Sequence, residues 1–307
     1  IIPLGGVEEI GRNMTAIEIG NDIFVLDAVF QFREDDTPGI DYICPQHEQA
    51  GAMAADGYAR ASGNLGAAVV TSGPGATNLM TGVCCAYYDS VPVFFITGQV
   101  ATFRMKGDTG VRQIGFQETD TLDIYKPIPK YAVLIDDPSK IRYELEKACH
   151  IAKSGRPGPV LVDIPDNIQR EEINPDKLKS FNPQELQTKK SDKLDSQIQR
   201  CLEFIKTAKR PVVILGWGVY LAKAAKEVEE FINKLGVPVV PTWGIADLLP
   251  ANHPLLVGTF GTHGTRYANF AVQNSDLVLA IGTRLDTKAT GSPPSTFARE
   301  AKKVVVD

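Results

Sequence analysis

The residues best suited to chemistry stand in two short segments. HEQ (residues 47–49) opens an alanine-rich stretch, and TSGPGATN (residues 71–78) lies between an apolar run and a helical pattern. A carboxylate such as Glu48 in the first turn of a helix can do acid–base chemistry or simply complement the helix dipole. Two glycines around a proline let backbone approach a flat ligand closely. Each signal alone is weak, because many strand-to-helix turns are rich in glycine.

Alternating strands and helices would position these segments. Short apolar strands without polar alternation, separated by helices, indicate parallel sheets covered on both faces. Helices are predicted over 48–62, 76–89, 138–154 and 221–235, and strands over 67–71, 91–97, 159–164, 211–215, 237–240, 277–281 and 304–306. The predicted class is α/β, with two doubly wound parallel-sheet domains.

Composition shifts divide the chain into four parts. Residues 1–43 carry short strands with tight turns, at 7–10 and 15–26, and residues 44–170 form the first α/β domain. Residues 171–195 are polar and predict a linker, and residues 196–307 form the second α/β domain.

The overall composition is that of a folded protein of ordinary polarity. Of 307 residues, 43% are apolar and 22% charged, and the formal net charge is −5. Disorder is excluded for most of the chain, and nucleic-acid binding is disfavoured. No apolar run approaches the roughly 20 residues that span a bilayer and no leader is visible, so we expect a cytoplasmic protein without membrane partners. The five cysteines and four histidines lack metal-ligand spacing, so no metal site is predicted.

Several motifs in order resemble the acetolactate synthase family of thiamine diphosphate enzymes. They are HEQAGAMAADGYARASG, TSGPGATN, DSVPVFFITGQV, GFQET, SGRPGPVLVDIP, GWG, HPLLVGTFGTHGTRYAN and SDLVLAIGTRLD. The resemblance covers about residues 44–307. It implies a pyrimidine-binding domain and a central FAD-type domain, with thiamine diphosphate as cofactor and a 2-keto acid as substrate.

The resemblance also implies roles for single residues. Glu48 matches the glutamate that shares a proton with N1′ of the cofactor's aminopyrimidine, a role suited to a buried carboxyl group, and Glu48 and Gln117 are the implied catalytic residues. The other implied contacts are Thr71, Pro74, Gly75 and Asn78 beside the pyrimidine, and Gln99, Phe116 and Gln117 on the substrate side.

The central domain of this family holds FAD in a structural role. The matching flavin contacts are Arg156, Gly216, Gly218, Thr242, Gly261, His263, Gly264, Gly282, Thr283, Arg284, Asp286 and Asp307. Without the resemblance, a satisfied loop histidine at His263 and a surface ion pair at Arg284 are the plainer interpretations. Magnesium is implied only through the family's C-terminal diphosphate-binding domain. Family members are homodimers or tetramers, and the present residues alone are expected to be inactive.

Some positions depart from the family. Ala101, Asp166 and Lys288 stand where proline, lysine and arginine are usual, and the segment 102–110 is longer. A sister activity on another 2-keto acid therefore stays open. The alternative from a different class is a non-catalytic module that binds a nucleotide or dimerises.

The first residues resemble a second family. LGGVEEIGRNM and FVLDAVFQFREDDTPGIDYI, over about residues 3–43, resemble the start of ribonuclease J-like nucleases with a metallo-β-lactamase fold, which suggests a chimera. Nuclease activity is disfavoured, because the four histidines cannot supply the HxHxDH cluster that such enzymes need. We expect this segment to be poorly integrated or to pair with a sheet edge.

Overall fold

The computed structural model describes residues 2–3, 15–19, 22–26, 43–186 and 193–306. The chain forms two compact units, residues 1–187 and 188–307, and the division falls within the predicted linker. Each unit contains a four-stranded parallel sheet, in the order β4-β5-β7-β6 in the first and β11-β10-β8-β9 in the second. Both sheets are covered by helices on both faces, which confirms the predicted α/β class.

The first unit follows the predicted alternation of helices and strands. Its elements are β1 (Ile2–Pro3), β2 (Thr15–Ile19), β3 (Asp22–Leu26), α1 (Glu48–Ser62), β4 (Gly66–Val70), α2 (Pro74–Asn78), α3 (Met80–Tyr88), β5 (Val93–Gln99), α4 (Thr121–Tyr125), β6 (Tyr131–Leu134), α5 (Ile141–Lys153), β7 (Val160–Pro165) and α6 (Asp166–Gln169). Short 3₁₀ turns lie at Thr102–Arg104, Pro138–Lys140, Pro175–Lys177 and Pro183–Leu186.

Successive residues of the central strands bury opposite faces of this sheet. Phe94 and Ile96 of β5 pack with α5 and α6, whereas Phe95 of the same strand packs with α1, α3 and α4. A strand buried on both faces has no polar side to show, which accounts for its continuous apolar sequence. The ends of these strands are therefore the places left for polar chemistry.

Helix α1 has clear start and stop signals. The Nδ1 atom of His47 caps it by accepting a hydrogen bond from the Gln49 N–H at 3.2 Å, and Gly63 ends it at φ +72°. Small residues let the helix lie directly on the sheet: a Cβ at Gly66 would stand 2.1 Å from the Ala55 carbonyl oxygen. The position of α1 relative to β4 is thus set by backbone contact.

The strands at the start of the chain form a separate antiparallel sheet, β1-β2-β3. The strands predicted within 15–26 are confirmed, and the one predicted at 7–10 lies outside the described residues. Strand β3 comes within 8 Å of the edge strand β4, measured between Cα atoms. The edge of the parallel sheet is thus the neighbour of this segment.

The second unit contains α7 (Leu194–Thr207), β8 (Pro211–Leu215), α8 (Gly218–Leu221), α9 (Ala225–Leu235), β9 (Val239–Pro241), α10 (Arg266–Gln273), β10 (Leu277–Ile281), α11 (Thr287–Thr290) and β11 (Lys302–Val306). Short 3₁₀ turns lie at Trp243–Ile245 and Pro294–Thr296. Helix α10 packs on one face of the sheet, and α7, α8 and α9 pack on the other.

The topology of this second sheet has one reversal point. The chain leaves the central strand β8 for β9 on one side and then returns to β10 on the other side. In open α/β sheets, ligands bind outside the carboxyl ends of the strands at such a point. The crevice between the ends of β8 and β10 is therefore the place to look for a ligand.

Two predicted helices are interrupted. The helix predicted over 76–89 is two helices, α2 and α3, that meet at Leu79. The helix predicted over 221–235 begins only at Ala225, because Lys223 takes a positive φ of 54° between α8 and α9. Strand β6 was not predicted from the sequence at all, and its four residues are all only partly buried.

Candidate functional site

The first unit brings Glu48 and Asn78 together. Glu48 is the first residue of α1, Asn78 is the last residue of α2, and Asn78 Nδ2 donates a hydrogen bond to Glu48 Oε2 at 3.1 Å. The other carboxyl oxygen of Glu48 has no hydrogen-bond partner within the part of the chain that the structure describes. Glu48 is half-buried, so the expected full burial of this group is not seen. One oxygen held and one open suit a carboxyl group that exchanges a proton with a ligand.

The loop after β4 makes the sharp turn that its glycines predicted. Gly73 has φ +63° and ψ −117°, a conformation that residues with a side chain rarely adopt, and Pro74 follows as the first residue of α2. A Cβ at Gly75 would stand 2.9 Å from Thr71 Cγ2, so the turn is closed tightly. Thr71, Pro74 and Gly75 therefore share one turn, whose helix α2 ends at Asn78.

Gln117 lies against this turn from the loop after β5. A Cβ at Gly73 would stand 2.8 Å from Gln117 Cβ, and Gln117 itself has a positive φ of 64°. Its neighbour Phe116 is 87% exposed. The structure thus brings Gln117 to the turn that carries the implied cofactor contacts, with Phe116 exposed beside it.

Gln99 is placed differently from the other implied substrate-side residues. It is buried, and its Nε2 donates to the Thr119 carbonyl oxygen at 2.7 Å and to Asp163 Oδ2 at 3.0 Å. Its Oε1 accepts from the Val100 N–H at 3.0 Å. In this geometry Gln99 supports the loop from inside, and a direct substrate contact by Gln99 stays a prediction.

Sequence reasoning missed Asp163, a carboxyl group buried in strand β7. Its Oδ1 accepts from Thr97 Oγ1 at 2.7 Å, and burial raises the pKa of Asp163 to about 7 against the opposing hydrogen bonds from Thr97 and Gln99. A single acid inside the apolar run VLVDIP was the available signal. A second buried acid, Glu118, lies in the loop after β5 and was noted only as part of GFQET.

In the second unit, glycine loops meet at the reversal point of the sheet. Gly216 follows β8 and Gly282 follows β10, and a Cβ at Gly216 would stand 2.3 Å from the Gly282 carbonyl oxygen. A Cβ at Gly218 would likewise stand 2.7 Å from the Cα atom of Gly282. The Trp217 Nε1–H is buried without a hydrogen-bond partner in the described residues. The N–H groups of Gly216, Gly218 and Gly282 already donate to backbone carbonyl oxygens, so the indole N–H is the one unpaired donor found here among the described residues, at the point where the topology favours a ligand.

Two further residues stand at the carboxyl ends of β9 and β10, the strands on either side of β8. Thr242 follows β9, and its N–H donates to the Leu215 carbonyl oxygen at 2.8 Å at the end of β8. Thr283 follows β10, is buried, and accepts a hydrogen bond from the Leu285 N–H at 3.3 Å. Both implied flavin residues therefore lie at the carboxyl end of the parallel sheet.

The remaining implied flavin residues of this unit form a second group. A Cβ at Gly261 would stand 2.8 Å from the Lys288 carbonyl oxygen, so the loop at 261–264 packs on α11. His263 is exposed, with its ring 4.9 Å from that of Trp243. The other members of the group are Gly264, which packs on Phe260, and Asp286, which caps α11 and pairs with Arg284 at 3.2 Å. These contacts agree with the plainer interpretations of His263 and Arg284.

The structure adds neither Arg156 nor Asp307 to these groups. Arg156, an implied flavin contact, lies between α5 and the start of β7 in the first unit, whereas the other implied flavin residues belong to the second unit. Asp307 lies outside the described residues. No group of three or more metal-ligating side chains exists within the described ranges.

Comparison with known proteins identifies the family. Residues 23–124 match the N-terminal TPP binding domain of thiamine pyrophosphate enzymes, and residues 198–307 match their central domain. The chain therefore belongs to the thiamine pyrophosphate enzymes, of which it carries these two domains.

Curated relatives give a more particular likeness. The chain is 38% identical to an acetolactate synthase of Arthrospira platensis over 94% of its own length and 49% of the relative's. It is 40% identical to a probable acetolactate synthase large subunit of Methanocaldococcus jannaschii, over 87% and 44%. It is 39% identical to the large subunit of acetolactate synthase isozyme 3 of Escherichia coli K12, over 83% of its own length and 43% of the relative's. The chain spans about half the length of these relatives.

The comparisons do not support a ribonuclease J-like origin for residues 3–43. The thiamine pyrophosphate family match begins at residue 23, inside that segment. The alignment with the Arthrospira relative covers 94% of the chain and so also reaches into it. Short strands with glycine turns recur in many folds, which makes such a brief resemblance a weak guide.

Proposed function

We propose that this chain is the pyrimidine-binding and central part of an acetolactate synthase-like carboligase that acts on 2-keto acids. The observation that carries the proposal is the Glu48–Asn78 pair beside the Gly73 turn, with one Glu48 oxygen open. The residue types fit the aminopyrimidine ring of thiamine diphosphate, which offers a basic ring nitrogen to an acid and a flat face to bare backbone.

The chain's own residues would bind and orient this cofactor. Glu48 would hold or release a proton at its open oxygen, and Asn78 would keep the other oxygen fixed by its 3.1 Å hydrogen bond. Thr71, Pro74 and Gly75 would lie along the ring, and Gln117 with Phe116 would face the substrate. When bound, thiamine diphosphate supplies the nucleophile and electron sink that 2-keto acid chemistry requires.

We also propose that the second unit binds FAD in a structural role. The support is the reversal point of the sheet, where bare glycine backbone leaves no side chains, and the unpaired Trp217 Nε1–H, which suits a polar acceptor on a ligand. Gly216, Gly218, Gly282 and Thr283 would line this site, with Thr242 at its edge. The group that includes Gly261, His263, Gly264, Arg284 and Asp286 would extend it. Arg156, which belongs to the first unit, and Asp307 are proposed as flavin contacts on the family resemblance alone.

Other parts of the proposal rest on the family resemblance. Magnesium and the cofactor's diphosphate would bind in the family's C-terminal domain. A homodimer or tetramer is favoured by exposed aromatic side chains on α1 and α3, namely Tyr58, Tyr87 and Tyr88. Five free cysteines accord with a cytoplasmic location. Among the described residues, no helix combines the length and apolar character needed to span a membrane.

Glu48→Gln tests the catalytic proposal in the complete enzyme. The amide keeps the shape of the side chain but cannot share a proton with the ring, so we expect hydrogen exchange at C2 of bound thiamine diphosphate to slow by about 10²–10⁴-fold. The exchange is measured by NMR after rapid acid quench.

Glu171→Gln is the matched control, because Glu171 is exposed and belongs to the same unit. Wild-type exchange in Glu48→Gln would remove Glu48 from the proposed mechanism.

The flavin absorbance of the purified chain tests the proposed FAD site of the second unit. A bound nucleotide without any thiamine diphosphate affinity would favour the alternative, a non-catalytic nucleotide-binding module.

A further inference from the structure

A buried glutamate organises the loop between β5 and α4. Glu118 is only 7% exposed although its loop, residues 100–120, lies at the surface. Its Oε1 accepts from the Lys106 N–H at 2.6 Å, and its Oε2 accepts from the N–H groups of Ile114 and Gly115 at 2.7 and 3.2 Å. One carboxylate thus ties together two stretches of backbone that are eight residues apart at their nearest.

The same residue is also held through its backbone. The Gln113 side chain donates to the Glu118 carbonyl oxygen at 2.8 Å, and the Glu118 N–H donates to the Gly115 carbonyl oxygen at 3.0 Å. A Cβ at Gly115 would stand 3.0 Å from the Val100 side chain, so this part of the loop packs on its own base. The loop closes around Glu118, which is the centre of its hydrogen bonds.

Glu118 directly follows Phe116 and Gln117, two of the three implied substrate-side residues. Gln117, between Phe116 and Glu118, has a positive φ of 64°. Its Cβ atom lies so close to Gly73 that a Cβ at Gly73 would be only 2.8 Å from it. A residue with a side chain holds a positive φ only where the surroundings determine it. The hydrogen bonds of Glu118 on one side and the Gly73 turn on the other supply those surroundings.

We propose that Glu118 is a positioning residue that sets the backbone of Phe116 and Gln117 at the cofactor turn. This inference rests on the proposed function for the meaning of that position, but its structural content can be tested alone. Only a carboxylate offers acceptors on both oxygens to the three N–H groups; an amide would turn its NH₂ group against one set of them.

Glu118→Gln is therefore the informative variant. We expect amide hydrogen exchange at Lys106 or at Ile114 and Gly115 to quicken by at least about tenfold, because a buried N–H loses its acceptor. The Gln117 and Gly73 amide signals should shift in the same variant. In the complete enzyme the KM for the 2-keto acid should rise about tenfold, whereas C2 exchange of the cofactor should stay at the wild-type rate.

Asp108→Asn is the matched control, since Asp108 lies in the same loop, is exposed, and carries the same charge. It should leave the exchange rates, the Gln117 signal and the KM unchanged. Equal effects in the two variants would overturn the proposal, because they would reflect loop charge rather than the buried contacts.

A titration of the unmodified protein gives a test that does not depend on how the variant folds. Burial acts to raise the pKa of Glu118, but the three backbone hydrogen bonds outweigh it and hold the pKa below its usual range. The amide chemical shifts of Lys106, Ile114 and Gly115 should all change with one midpoint, the lowered pKa of Glu118. The amide chemical shift of Gln117 should change with the same midpoint. Lys106, Asp120 and Asp123 are the charged side chains in this neighbourhood, and their side-chain signals are followed in the same experiment.

The outcomes separate the two proposals. A Gln117 signal that ignores both the Glu118 titration and Glu118→Gln would overturn the positioning role, whatever the cofactor does. Failure to bind thiamine diphosphate, with the loop responses intact, would overturn the proposed function and leave the link between Glu118 and Gln117 established.

Discussion

At the scale of single residues, the first unit keeps a carboxyl group where charge is costly. Asp163 lies inside β7 with Thr97 and Gln99 as hydrogen-bond donors, and burial raises its pKa to about 7. The folded protein therefore holds a proton that the unfolded chain releases at lower pH. Between the ordinary carboxyl pKa, near 4, and about 7, unfolding is increasingly favoured as pH rises.

The raised pKa of Asp163 predicts a measurable pH dependence of the free energy of unfolding. The contribution of Asp163 to the free energy of unfolding should fall from pH 4 to about pH 7 and then level off. Asp163→Asn should remove that part of the slope, as measured by urea denaturation at a series of pH values. Asp123→Asn is the control, since Asp123 is exposed on α4 of the same unit. An unchanged slope in Asp163→Asn would show that this carboxyl group does not titrate over the interval.

At the scale of elements, the turn at Gly73 depends on a backbone conformation that few residues can adopt. Gly73 and Gly63 both have positive φ, but a Cβ at Gly63 would meet nothing within 4 Å, whereas one at Gly73 would meet Gln117. The two glycines thus separate the cost of the conformation from the cost of the contact.

Gly73→Ala should destabilise the first unit by about 1–3 kcal/mol, and Gly63→Ala by about 1 kcal/mol. Only Gly73→Ala should also shift the Gln117 amide signal and weaken thiamine diphosphate binding. Thermal unfolding and NMR of both variants are the measurements. Equal stability losses together with an unmoved Gln117 signal would show that the two loops are not in firm contact.

Much of this level could be predicted from sequence. The apolar runs of β5 and β8 and the stop signal at Gly63 led to the correct elements, because burial and capping are local properties. The Lys223 break, strand β6 and the Glu118 contacts could not be predicted. The Glu118 contacts depend on how its own loop folds back on itself, and β6 depends on pairing with β7. The break at Lys223 carries no glycine or proline to signal it. At the site, the position of Glu48 was predictable, but its open oxygen and the internal role of Gln99 were not.

At the scale of the whole molecule, each unit has its own apolar cores. Ile96 is buried in the first unit and Ile232 in the second, and every hydrophobic cluster among the described residues draws its members from one unit. Both tryptophans of the chain, Trp217 and Trp243, belong to the second unit. Tryptophan fluorescence therefore reports on one unit, and circular dichroism reports on both.

Ile232→Ala should lower the denaturant midpoint seen by tryptophan fluorescence, through the loss of about 2–5 kcal/mol that such a cavity causes. Ile96→Ala should leave the fluorescence midpoint in place and alter only the dichroism curve. If Ile96→Ala moves both curves equally, the chain unfolds as one cooperative body and the separate cores do not confer separate stability.

The contact between Gly66 and Ala55 couples the residue at position 66 to the whole of helix α1. A side chain at position 66 has no room beneath the helix, so the helix would slide or lift as one stiff body. Glu48 is at the far end of that body, about 10 Å along its axis at 1.5 Å per residue. A shift of about 1 Å is enough to cost about a hundredfold in rate at a reacting group. Position 66, although remote from the proposed cofactor contacts, would therefore have to be kept as precise as the position of the Glu48 carboxyl group itself.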